Sequence, residues 1–118
     1  MKLILSLLAI VALLSFTGTS SPLSNTKWSG GGLTLFFTTS DTLKISVDGE
    51  EIAQSIYAAT DSIFTMRDLP GYEMSCDASI TGSYDYQINK DQLSFKLRSD
   101  SCEERGAALE RLVLTRDK

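Results

Sequence analysis

Histidine is absent from the chain. That absence removes Ser–His and Cys–His catalysis and every His-ligated zinc site. Cysteine occurs twice, at Cys76 and Cys102, without the close spacing of a Cys-x-x-Cys redox pair. Basic residues are scattered and outnumbered, eleven against fifteen acids. Phosphate neutralisation needs clustered Lys and Arg, so no nucleic-acid partner is expected. The Gly30–Gly32 run lacks the Lys and Ser/Thr of a phosphate-binding loop and reads as a flexible joint. Beyond the first residues, no apolar run is long enough to span a membrane.

The N-terminus is different. Lys2 precedes a nearly unbroken apolar run from Leu3 to Phe16, and small residues follow. This is the three-part form of a secretory signal peptide, with cleavage expected after Ser20. The chain then divides into a signal peptide at 1–20, an N-terminal segment with the Gly-rich joint at 21–32, and a barrel at 33–118. The mature part carries ten bases and fifteen acids, a net charge of −5. Export, to a periplasm or the cell exterior, is the expected localisation, with a monomeric domain that does not span a membrane. Two cysteines in an exported domain of this size read first as one disulfide, with two free thiols as the alternative.

From Leu33 onward the hydrophobic pattern has a period of two. Leu43, Ile45 and Val47 alternate, and Asp48–Gly49 marks a hairpin turn. Gly82, Tyr84, Tyr86 and Ile88 share one face of a later strand. Leu93, Phe95 and Leu97 are expected to point inward from the next, with Ser94, Lys96 and Arg98 outward. Seven strands are counted, or eight if Thr26–Ser29 pairs at the start. The fold class expected is all-β, a small antiparallel barrel. Ser101 with Glu104 has the form of a capping box, and Gly106 limits the helix it would start to two turns.

The order Gly82-x-Tyr84, Leu93-x-Phe95, Asp100-x-Cys102-x-x-Arg105 and a closing strand, with Cys76 ahead of it, resembles small exported lipocalin-like domains of bacteria. The likeness covers about residues 57–116, and Trp28 fits the barrel entrance. Thr26 stands where strict lipocalins carry a glycine two before that tryptophan. The resemblance implies a lipocalin-like barrel with a basic residue of the last strand over Trp28, either Arg116 or Arg111. Arg105 reads as the partner of Asp100 at the rim, with a solvent-facing charge as the alternative. The hairpin of the Tyr84 and Phe95 strands would bring Cys76 and Cys102 to one open end, within disulfide reach.

Function follows less directly. Asp100, Glu103 and Glu104 cluster, but Arg98 and Arg105 lie among them, so salt bridging is favoured over a metal site. No metal, cofactor or enzymatic activity is expected. Tyr84, Tyr86, Leu93, Phe95 and Leu97 are the candidate barrel-interior residues for a small hydrophobic ligand. The alternative is a packed barrel that engages an exported protein, for example as a hydrolase inhibitor. A dry cavity of roughly 300 Å³ or more would favour the ligand.

Overall fold

The computed structural model describes residues 21–117. The expected signal segment at 1–20 lies outside the described residues. Eight antiparallel strands close into one barrel: β1 (Thr26–Gly30), β2 (Leu33–Phe37), β3 (Thr42–Val47), β4 (Glu50–Ala59), β5 (Ile63–Asp68), β6 (Gly82–Asn89), β7 (Gln92–Ser99) and β8 (Val113–Arg116). One helix, α1 (Glu103–Arg111), separates β7 from β8. The all-β barrel read from the alternation is therefore the observed fold. Its first strand lies within 21–32, so the barrel begins before Leu33, where the sequence reading had placed its start.

Neighbours in sequence are neighbours in the sheet, so the turns set the registers. Gly31 and Gly32 both take positive φ, 60° and 84°, between the paired Gly30 and Leu33. The triple glycine is thus a strand end followed by a tight two-residue turn, and not a loose joint. Asp48 (φ 50°) and Gly49 (φ 85°) do the same between Val47 and Glu50. Positive φ at both central residues matches the right-handed strand twist, which splayed turns would oppose. β8 closes the ring, pairing Leu93↔Leu114 with β7 and Trp28↔Arg116 with β1.

Inward residues alternate on every long strand: Leu35 and Phe37, Ala53, Ser55 and Tyr57, Phe64, Met66 and Asp68, Tyr84 and Tyr86, Leu93 and Phe95. Phe37, Tyr57, Phe64, Tyr84 and Phe95 form a connected aromatic stack, with centroid separations of 5.0–6.4 Å. In a barrel this narrow those rings fill the interior. The tyrosine hydroxyls do not need internal water. Tyr57 donates to the Thr38 carbonyl at 2.8 Å, Tyr86 to the Thr60 carbonyl and Tyr84 to the Asp100 carboxylate.

Leu97 departs from its expected place. It is 37% exposed, against 6% for Phe95 two residues earlier. It still pairs with buried Tyr84, in the register that pairs Tyr86 with Phe95, and the register shift falls one step beyond it, between Ser83 and Tyr84, where the strand reaches the rim. There it covers Gly106 of α1, whose position for a Cβ lies 3.4 Å from Leu97. A Cβ at 106 would make only ordinary contact with its neighbours, and the glycine does not limit the helix to two turns; nine residues make two and a half. The capping box is also not formed. Cys102 is the N-cap residue and no side chain caps the helix. Glu103 and Glu104 in the first turn and Arg111 in the last instead suit the helix dipole.

Candidate functional site

The strand directions sort the molecule into two ends. The N-terminal segment and the turns at 38–41, 60–62 and 90–91 lie at one, which we call the closed end. The turns at 31–32 and 48–49, the long 69–81 loop and α1 lie at the other, the lid end.

At the closed end, buried Leu23 and Trp28 plug the barrel. The Trp28 indole donates to Thr26 Oγ1 at 2.8 Å, and Thr26 donates to the Leu23 carbonyl. The Arg116 guanidinium lies 5.5 Å from the Trp28 ring centroid, a cation–π contact. Arg111 is engaged elsewhere, donating to Ala107 O of its own helix at 3.2 Å.

At the lid end the central group is Arg105, whose side chain is only 8% exposed. Its Nε and Nη2 donate to Asp100 at 2.7 and 2.8 Å, a bidentate pair, and Nη2 also reaches the Ile80 carbonyl at 3.0 Å. Nη1 lies 3.3 Å from Asp68 Oδ1, an ion-pair separation, but no N–H is aligned for a hydrogen bond there. Both carboxylates have other donors. Asp68 accepts from Ser55 Oγ and from the Cys76 amide, each at 2.8 Å. Asp100 accepts from the Cys102 amide at 2.9 Å and from Tyr84. Each half-cystine thus has its N–H held by one of the two acids that flank Arg105. The Cys76–Cys102 disulfide joins the 69–81 loop to the start of α1, with Cα atoms 6.2 Å apart.

Burial alone would raise the Asp100 pKa. Hydrogen bonds from Arg105, Tyr84 and the Cys102 amide outweigh it and hold the carboxyl below its ordinary value. The same group pushes the Tyr84 hydroxyl well above its usual range, through burial first and its bond to Asp100 second. For Arg105, burial favours the neutral form and is outweighed by the bonds and charge of Asp100, so its pKa is raised. Gly82 is required beside this cluster: a Cβ there would sit 2.7 Å from Asp100 Cγ and also against its carboxylate oxygen.

Beside Arg105 lies a cavity of about 190 Å³ between the inner face of β2–β4 and one edge of α1, open to solvent where Met74, Glu104 and Ala108 are exposed. Leu33, Leu35, Ile45 and Ile52 form its barrel wall, and Ala108 and Leu109 its helix wall. Asp68, Glu104 and Arg105 supply the polar edge, and the disulfide and Met74 complete the border. Met74 is 68% exposed.

The candidate ligand residues read from sequence do not line this cavity. Tyr84, Tyr86, Leu93 and Phe95 are spent on the packed interior, and Leu97 lies on the rim against the helix. The structure does bring Asp100 to Arg105, Trp28 to Arg116 and Cys76 to Cys102. Asp68 was missed. It continues the inward series Phe64, Met66, Asp68 by one more step of two, and an acid at an inward position was the available signal. Among the described residues, no group of three or more His, Cys, Asp or Glu could hold a metal ion, and no helix is long and apolar enough to cross a membrane. Comparison with protein-family models, with curated proteins and with solved structures gave no match.

Proposed function

We propose that this chain is an exported, non-enzymatic, lipocalin-like barrel that holds a small hydrophobic ligand at its lid end. The observation that carries the reading is the apolar cavity beside α1. Its walls are aliphatic, and it lies off the aromatic stack that fills the barrel. At about 190 Å³ it is smaller than the roughly 300 Å³ of a typical ligand pocket, so the ligand is small. The carboxylates nearby are held by Arg105 and backbone amides, an arrangement suited to structure more than to proton transfer. The disulfide fits an oxidising compartment.

Toluene titrated into ¹⁵N-labelled protein tests the reading. Saturable amide shifts are expected at Leu33, Ile45, Ala108 and Leu109, and Ala108→Phe, which adds a ring at the exposed helix edge of the cavity, is expected to remove them. Shifts that do not saturate, or that survive Ala108→Phe, would exclude the site.

The filled barrel and the exposed Met74 beside the cavity favour a second reading, in which the lid end receives an apolar side chain of an exported protein. Toluene binding without any competing protein in the host's exported fraction separates the first reading from the second.

A further inference from the structure

The kind of partner that suits the lid end can be read from the charge around the open cavity. We infer that this cleft is a docking site for a basic segment of an exported protein. One aliphatic side chain of the segment seats in the cleft, and flanking Lys and Arg meet the acids around its mouth. This rests on the second reading above, a protein partner at the lid end, and names that partner's chemistry.

The cleft supplies the apolar half. Leu33, Leu35, Ile45 and Ile52 form its floor. It opens to solvent beside Met74, which is itself 68% exposed, so apolar surface continues from the floor onto the rim. An inserted side chain covers the floor, and the backbone that carries it covers Met74. A molecule small enough to lie within the cleft leaves that rim bare.

Charge supplies the other half. Three segments frame the mouth, and each carries exposed acids: Glu50 and Glu51 after the 48–49 turn, Glu73 in the 69–81 loop, and Glu103 and Glu104 in the first turn of α1. Across 48–52, 69–81 and 100–109 the one base is Arg105. It is buried and held between Asp68 and Asp100, so it offers no cation to an incoming chain. Among the described residues no three acids or cysteines converge to hold a metal ion. The acids are spread around the mouth, a pattern answered by several cations along one chain and not by a single ion. Charge of one sign around an apolar cleft repels acidic segments and draws basic ones, acting on encounter rate and selectivity more than on final affinity.

The test uses the full, oxidised chain and three end-blocked peptides: Lys-Lys-Leu-Lys-Lys, Glu-Glu-Leu-Glu-Glu and Lys-Lys-Ala-Lys-Lys. Affinities come from saturable amide shifts at low salt. The first peptide is expected to shift Ile45, Ala108 and Leu109 and to bind about tenfold more tightly than either of the others. Raising the ionic strength to about 0.15 M is expected to weaken it about threefold. Glu73→Gln combined with Glu104→Gln is expected to weaken it similarly, with the unfolding midpoint kept. The glutamate peptide binding as tightly as the first, or an affinity untouched by the double substitution, would overturn the inference and leave the protein-partner reading standing. The alanine peptide binding as tightly would overturn it too, because charge alone would then suffice. If neither leucine peptide binds, the protein-partner reading falls with it.

Discussion

The two ends of this barrel are closed by different means. At the closed end, Leu23 and Trp28 fill the opening, Tyr57 and Tyr86 bond to turn carbonyls, and Arg116 covers the indole. At the lid end the cover is a helix, fixed by one disulfide and by Arg105 between two buried acids. Apolar side chains deform to fill space and leave none. A helix pinned over β6 and β7 by ionic and covalent links is held where those links fall, and the mouth beside β2–β4 stays partly empty. The cavity is thus a product of how the lid is attached.

The strongest way to break that contrast is Arg105→Met. It leaves Asp68 and Asp100 buried without their cation, and a loss of about 3–5 kcal/mol is expected in urea unfolding. Adding Asp100→Asn should recover part of it, because one stranded charge is removed. Replacing Cys76 and Cys102 together by alanine comes next. The half-cystines are 26 residues apart, and about 3–4 kcal/mol is expected from loop closure. Hydrogen exchange should then quicken first in α1 and the 69–81 loop, with the closed end unchanged.

Acid should also act on the lid end first. Asp100 has a lowered pKa when folded, so the unfolded chain binds more protons as pH falls. Its contribution is complete above the ordinary carboxylate pKa of about 4 and is lost as pH drops through the lower folded value. Unfolding midpoints measured from pH 7 to 2 should fall in that acid window, and less steeply in Asp100→Asn. The smallest effect is expected at the closed end: Arg116→Ala removes the contact over Trp28 at a cost of about 0.5–2 kcal/mol, seen with a change in tryptophan emission. A larger loss there than at Arg105 would reverse the comparison.

Much of the barrel was legible because each face is set by a period of two, and an interior that must be apolar writes that period into Tyr84, Tyr86, Leu93 and Phe95. The rim was not, because the period ends there. Leu97 keeps its parity and its pairing with Tyr84 but lies at the rim against a helix, so its burial depends on what lies above it. The capping pattern at Ser101 failed for a related reason: the disulfide and the Asp100–Cys102 bond fix the entry of α1 before a serine cap can act. The cavity could not be read at all. It is made by β2, β3, β4 and α1 together, and no local spacing records the gap between them.

The four-residue strand β8 has a consequence for how the molecule assembles. It alone joins β7 to β1, and Ser29 meets Asp117 across 88 positions of sequence. Seven strands can form hairpin by hairpin, yet until β8 arrives β1 and β7 both present unpaired edges, the surfaces on which chains stick to one another. A contact this distant in sequence predicts folding among the slower topologies, in about milliseconds to seconds. During that interval the chain is most exposed to aggregation, and the risk lies in those two edges and not in the cavity or its lid.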